Sequence, residues 1–348
     1  MVSCQRHGLP LMGGGDWNDG MNRVGEEGRG ESVWLGWLVI RTIALFAPLA
    51  EQRGDPRAEV WRAHSERVRT AIEKEAWDGE WYRRATHDDG AWLGSKTSEE
   101  CRIDSIAQSW AVLSGVAAPE RAEIAMASFD RHLIDREDGL VLLFKPPFDK
   151  ASRNPGYIMG YPPGLRENGG QYSHAAMWAI LAQSRLGNAD KAVELFDIVN
   201  PISHARDPAA VERYKVEPYV VAADVYSVAP HAGRGGWTWY TGAAGWMYKA
   251  GIEGILGLRR EGDFIVVNAK LPAAWDKFVA AVTVGATSYS IQVEAPRHAA
   301  ACLSVILDEK PLPADGHMVR LPLDGLRHQV KIRLAGDGSE TCGSDLIV

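Results

Sequence analysis

The chain has 348 residues, 46% of them hydrophobic and 24% charged, and carries a net charge of −7. That length suits two domains with a sizeable core, and the composition excludes disordered and fibrous classes. Lys and Arg are dispersed among acidic residues, which excludes the basic footprint of a nucleic-acid binder.

Residues 1–31 read as loop, with no signal-peptide pattern at Met1. The run Gly13-Gly14-Gly15-Asp16-Trp17-Asn18-Asp19-Gly20 lies within it. Glu31 and Ser32 open a helix that runs to about Ala50. This is the most apolar run of the chain. Arg41 interrupts it short of the ~20 apolar residues that cross a bilayer, so a buried helix is expected, with no membrane contact. A second helix, over 57–74, carries Val60, Trp61, Val68 and Ile72 on one stripe with His64 among them. Further helices are expected over 104–113, opened by an Asp cap, and over 119–133, with Pro in the first turn. The last three are expected over 172–186, 189–199 and 242–256. Several connecting loops run to roughly 10–30 residues, a length usually reserved for function.

The pattern changes at Gly257. Beyond it, 264–267, 287–293, 303–307 and 329–334 alternate as strands do, with turns at Asp315-Gly316 and Asp324-Gly325. The expected architecture is mainly α over 1–257, followed by a small antiparallel β-sandwich over 258–348 with a loose polar tail after Gly336. Cys4, Cys101, Cys302 and Cys342 lie far apart with no CxxC pair, so neither a zinc site nor a disulfide framework is expected, and a cytoplasmic setting fits. There is no internal repeat, and HExxH, a Walker loop, GxGxxG after a strand and GxSxG are absent.

Thirteen Trp is a high count, and flat rings beside polar clusters are what carbohydrate sites use. Most of the thirteen are nevertheless expected in the core. Three segments could carry chemistry. In 13–20, two carboxylates flank an indole on a glycine-rich loop, where an apolar ring beside a carboxyl group favours the protonated acid. The same residues suit an ordinary turn in which Asp and Asn bond their own backbone. In 164–174, Arg166, Glu167, Asn168 and His174 gather just before a helix. There His174 feels the positive end of the helix dipole and offers a hydrogen bond or, protonated, a full charge. A capping loop with one satisfied His would look alike. In 235–242, Thr241 is placed as N-cap with Gly242 behind it, an arrangement that suits an anion but is common. Gln108, on an otherwise apolar helix, is either a cleft wall or a buried polar contact.

Together these runs resemble glycoside hydrolase family 94, the inverting disaccharide and oligoglucan phosphorylases. The resemblance rests on residues 7–22, on Gly30-Glu31-Ser32-Val33-Trp34-Leu35, on residues 168–174 and on Trp239-Tyr240-Thr241-Gly242. Residues 217–226, from Glu217-Pro218-Tyr219 to Tyr226, look most like the β-1,2-glucan branch, which includes the C-terminal phosphorylase region of cyclic β-1,2-glucan synthases. The resemblance implies a partial (α/α)6 barrel before the β domain. It implies Asp19 as general acid, and Trp17, Tyr161, Arg166 and Glu167 as substrate-binding; Asp16, beside Trp17, and Gln108 are further candidate substrate contacts on their position in the sequence. It places His174, Thr241 and Gly242 at phosphate. No cofactor or metal is implied; inorganic phosphate is the co-substrate and a β-glucan oligosaccharide the partner. Where cellobiose-type members contact phosphate through a Gln, this chain has Ala222-Ala223. The resemblance implies that the upstream part of the barrel, with the residues that grip the donor sugar, lies outside these 348 residues, so that the chain resembles a fragment or a split gene product. The isolated chain is therefore expected to associate with that portion or with a second copy of itself.

Two other functions remain open on the sequence. An inverting glucosidase would need a second carboxylate ~6.5–9.5 Å from the acid to activate water, and Glu167 is the candidate. A non-catalytic glucan-binding remnant would need neither.

Overall fold

Ser32 starts the first helix: its hydroxyl accepts from the backbone N–H of Leu35 at 3.0 Å and so caps α1 (Val33–Gln52). The structure, a computed structural model, describes residues 6–239, 242–295, 299–313 and 318–336. The chain divides into two compact units: residues 1–186 with 195–247, and residues 187–194 with 248–348.

In the first unit α1 packs on α2 (Arg57–Ala71) and α3 (Ser105–Ser114), and α3 packs on α4 (Pro119–Leu133) and α5 (Ser173–Leu186). Residue type explains this arrangement. Every residue of α3 is buried, and α5 buries all but its ends, because both are apolar or small around their whole circumference. Helices α2 and α4 are charged on one side and bury only a stripe. The α2 stripe runs through Ala58, His64 and Val68 and leaves Val60 in solvent, contrary to the stripe read from the sequence. At Gly36, α1 approaches the end of α2 and the turn that follows it so closely that an added Cβ would stand 2.9 Å from Ile72 Cδ1 and 3.4 Å from Val68 Cγ1.

Arg41 does not end α1, which has 20 residues and enough apolar character to cross a membrane by length and composition. Its first half, including Val33, Trp34, Trp37 and Ile40, is buried in the helical unit, whereas Leu45, Phe46 and Leu49 are exposed.

The remaining helices are α6 (Ala189–Val199), α7 (Pro208–Tyr214) and α8 (Ala243–Lys249). Helix α7 is absent from the sequence reading. It is short, and its signal is the Asp207 side chain, which caps Ala210 N–H at 2.9 Å ahead of Pro208. The expected helix over 242–256 turns into a wider π turn from Ala250 to Ile255. Trp34, Trp37, Trp81, Trp110 and Trp178 are the buried indoles, fewer than expected, and Trp237 and Trp239 are exposed.

In the second unit a three-stranded sheet carries Val319–Pro322, Phe264–Val267 and Leu258–Glu261 side by side. A five-stranded sheet runs in the order Lys277–Val284, Thr287–Glu294, Arg327–Gly336, Ala299–Leu307, Lys310–Pro311. Alternate residues of both sheets, among them Ile265, Val267, Ile291, Val293, Val305, Leu321, Val330 and Ile332, form one core. The pairing is not wholly antiparallel: Thr287–Glu294 lies parallel to Arg327–Gly336, while the other pairs are antiparallel. The expected turn at Asp324-Gly325 is present, with Gly325 at φ 86°. Asp315-Gly316, the tail after Gly336, and Cys4 and Cys342 lie outside the described residues.

Candidate active site

The glycine-rich loop at 13–20 has one deep anchor. The side chain of Asp16 is fully buried, and its carboxylate accepts from both terminal nitrogens of Arg84 at 2.6 Å. It also accepts from the Ser32 hydroxyl at 2.6 Å and the Asn18 N–H at 3.1 Å. Arg84 in turn donates through Nε to Asp104 at 3.1 Å, and Asp104 caps α3 through Ile106 N–H at 2.9 Å. Burial by itself would raise the Asp16 carboxyl, but the Arg84 charge and these bonds hold it below the usual carboxylate range. For the more distant Asp104, burial prevails over Arg84 and pushes the carboxyl up to about 6. A second support comes from Glu31, fully buried, which accepts from the backbone of His7 and Leu9 and from His7 Nδ1 at 2.7 Å.

The loop then turns outward. Asp19 opens a 3-10 turn (Asp19–Met21) and is exposed. The segment Tyr157–Gly160 packs on this turn: the Tyr157 backbone N–H donates to Asn22 at 3.0 Å, and its phenol lies near the Asp19 carboxylate. Desolvation and the neighbouring Asp19 carboxylate push the Tyr157 phenol up to about 12. Around the same place stand Tyr161, edge-on to Tyr157 at 6.3 Å, and Arg166, whose guanidinium covers the Tyr161 ring at 5.0 Å and the Trp237 ring at 5.9 Å. Arg166 Nε lies 3.4 Å from Glu167. Arg166 has φ 49°, an unusual backbone for a non-glycine residue, and its N–H donates to Asp224 Oδ2 at 2.9 Å. Burial raises the Asp224 carboxyl. Asn168, fully buried, holds the loop by accepting from Phe148 N–H and donating to the carbonyls of Phe148 and Tyr161.

On the other side of Asp19, Trp17 donates through its indole N–H to His174 Nδ1 at 3.4 Å. His174 is the second residue of α5, ringed by Trp17, Trp178 and Trp246 at 5.4, 4.5 and 5.5 Å. Burial pushes its imidazole down to about 4, so the ring is neutral near pH 7. With Nδ1 accepting from the indole, the ring proton sits on Nε2, which is buried and has no hydrogen-bond partner among the described residues. His174 therefore offers one neutral donor in the unliganded protein; desolvation disfavours the full charge considered from the sequence. The short strands Gln171–Tyr172 and Asp224–Val225 pair, and Ser173 N–H donates to Ala223 O at 2.9 Å, which sets the Ala222-Ala223 stretch beside His174.

The structure thus gathers Asp19, Tyr161, Arg166 and Glu167 in one cluster, and Trp17 with His174 in an adjoining one. It does not place Asp16 or Gln108 on a cleft. Asp16 is locked under the loop. Gln108 is fully buried and accepts from Tyr82 N–H while donating to the carbonyls of Tyr82 and Asp104, which occupies its amide with backbone. Gly242 is exposed, and the space beside its Cα is open, with no atom within 4 Å of where a Cβ would stand. Thr241 lies outside the described residues. Asp224 and Trp237 lie in segments singled out in the sequence but were given no role there, and Tyr157 was missed, although its spacing, four residues before Tyr161, could have flagged it. Among the described residues no group of three or more His, Cys, Asp or Glu side chains could hold a metal ion.

Comparison with known proteins adds the following. A family model described as "Glycosyl hydrolase 94 superfamily, catalytic domain" matches residues 2–257. The chain is 52% identical over 288 residues to "Cyclic beta-(1,2)-glucan synthase NdvB" of Rhizobium meliloti (strain 1021), covering 82% of this chain and 10% of that protein. It is 30% identical over 330 residues to "Solabiose phosphorylase" of Paenibacillus borealis, covering 94% of this chain and 42% of that one. The chain therefore spans less than half the length of either relative. Among solved structures, one described as "Sialidase" aligns with a TM-score of 0.53 at 14% identity, over 80% of this chain and 25% of that one, a likeness of fold.

Proposed function

The chain belongs to the glycosyl hydrolase 94 superfamily, and from that premise we propose that it carries the proton-donor and phosphate side of an inverting phosphorylase acting on β-1,2-linked gluco-oligosaccharides. A phosphate oxygen attacks the anomeric carbon of the terminal glucose as the glycosidic bond breaks. Asp19 gives its proton to the departing oxygen, and the products are α-glucose 1-phosphate and a glucan one unit shorter. Phosphate arrives as an anion, so no general base is required.

The observation that carries this reading is the placement of Trp17 and Asp19 two residues apart on one loop. Trp17 orients His174, and Asp19 points to Tyr157 and the Arg166 cluster. His174 Nε2–H then serves as a phosphate donor, joined by the Thr241-Gly242 backbone. Tyr161, Arg166 and Glu167 take the sugar hydroxyls. Hydrolysis would require Glu167 as base, but that carboxylate is paired with Arg166 at 3.4 Å. The alternation of α3 and α5, buried along most of their length, with α2 and α4, buried on one stripe, supports the helical unit as the C-terminal part of an (α/α)6 barrel, with a separate β unit whose main segment begins at Tyr248 rather than at 258.

The test is β-1,2-gluco-oligosaccharide incubated with and without phosphate and followed by proton NMR. α-Glucose 1-phosphate formed only with phosphate is the expected result. Free glucose released at the same rate without phosphate would overturn the reading in favour of a glucosidase.

A further inference from the structure

We propose that Arg84, clamped between Asp16 and Asp104, is a positioning residue that sets the proton-donor loop against the ends of α1 and α3. The proposal rests on the reading of Asp19 as proton donor.

Residues 13–20 are half glycine and hold few side chains that could fix the loop by packing. Asp16 supplies what packing does not. Its carboxylate is gripped by two Arg84 nitrogens and by Ser32, the cap of α1. The remaining guanidinium edge reaches Asp104, the cap of α3. Arg84 is itself stitched in place: its N–H donates to Leu93 O at 2.9 Å, and its carbonyl accepts from Val33 N–H, in the first turn of α1, at 3.1 Å. Gly94 packs so tightly on it that a Cβ would stand 2.4 Å from the Arg84 nitrogen.

Asp16 and Arg84 side chains are 0% exposed and Asp104 1%, so the three groups lie fully out of water. Buried ion pairs of this kind contribute little net stability, because desolvation offsets their attraction; what they can provide is a unique geometry. Here the geometry is that of the loop. Trp17 follows Asp16 directly and orients His174, and Asp19 comes two residues later. One guanidinium therefore aligns the proton donor and the phosphate-side donor with the two helix ends from which they are approached.

The experiment measures kcat and KM on the full-length polypeptide for two variants, Asp16→Asn and Ser32→Ala. Asp16→Asn keeps the shape of the side chain but removes its charge. Ser32→Ala removes the hydroxyl's bond to Asp16 and its cap on Leu35 N–H but leaves both ion pairs of Arg84 intact, so it is the milder of the two. Each is assayed with phosphate on a β-1,2-gluco-oligosaccharide, whose leaving group needs a proton, and on nitrophenyl β-glucoside, whose leaving group does not. A misplaced donor can cost about 10²-fold. Asp16→Asn is expected to lower kcat on the oligosaccharide by about that factor, with KM changed less than about twofold. The loss on the nitrophenyl substrate should be less than about threefold. Ser32→Ala should show the same selectivity at about tenfold. Equal losses on both substrates, or no loss on either, would overturn the positioning role, because a merely structural defect lowers the active fraction for both alike. If the unaltered protein forms no α-glucose 1-phosphate, the functional reading has failed and the positioning role falls with it; if it does, only the variants decide.

Discussion

Trp17 Nε1 and His174 Nδ1, 157 residues apart in the chain, meet at 3.4 Å, and this contact decides which nitrogen of the imidazole carries its proton. An indole N–H can only donate, so Nδ1 accepts and the proton is left on Nε2. The surrounding rings exclude water and push the imidazole down to about 4.

His174 is accordingly expected to show the Nε2–H tautomer by long-range nitrogen NMR and to remain neutral from pH 8 down to about 4. The sign for stability follows. The unfolded chain takes up this proton as pH falls through the ordinary histidine value near 6.5, and the folded chain does not until about 4. Stability from this group therefore declines across that interval and is constant above it. A titration midpoint near 6.5 in the folded protein would contradict the burial argument. In Trp17→Phe the ring is kept and the donor lost, so both tautomers should appear.

His174→Ala should weaken phosphate use. A single neutral hydrogen bond contributes roughly 0.5–1.5 kcal/mol, so KM for phosphate is expected to rise up to about tenfold. KM for the glucan should move much less. Equal changes in both constants would remove His174 from the phosphate side.

Asp19→Asn is expected to lower turnover of the oligosaccharide by about 10²–10⁴-fold, the range for a lost general acid, while glucan binding persists. A nitrophenyl glucoside should be spared most of that loss. Calorimetric titration with the glucan separates binding from turnover, and loss of both together would argue that Asp19 serves binding.

Gln108→Ala strands the Tyr82 backbone N–H and carbonyl in the core. Each unsatisfied group costs about 1–3 kcal/mol, so a loss of about 2–4 kcal/mol in urea unfolding is expected, with KM unchanged in the folded fraction. A raised KM at unchanged stability would restore Gln108 to the cleft.

Gly236→Ala should act on Arg166 from a distance. The new Cβ would stand 2.1 Å from Asp224 Oδ1, and Asp224 Oδ2 holds the Arg166 N–H in its left-handed conformation. Displacing that carboxylate should raise KM for the glucan about tenfold, a cost of about 1.4 kcal/mol, and leave KM for phosphate within about twofold. An unchanged glucan KM would detach Arg166 from the sugar.

Local chemistry was enough to place most of the helices, α7 excepted. The bounds of α4 and α6 follow from Pro119 in a first turn and from apolar spacing over a few turns, which need no knowledge of distant residues. The caps Ser32 and Asp104 and the strands on either side of Ile291 and Val330 were legible for the same reason. The family motifs were legible because they are contiguous. Partnership was not. Asp16 looked like a sugar ligand beside Asp19 until Arg84, 68 positions on, proved to occupy it. Tyr157 meets Asp19, and Asp224 meets Arg166, across loops that have no periodicity to announce a pairing. Two-residue strands such as Gln171–Tyr172, too short to leave an alternating pattern, bring His174 beside Ala223. Sequence alone determined which segments could hold an acid, a donor and a sugar contact. Only the tertiary structure decided which side chains stay free, because a polar group's freedom depends on what folding brings within 3 Å of it, and in this site those neighbours lie tens of positions away in the chain.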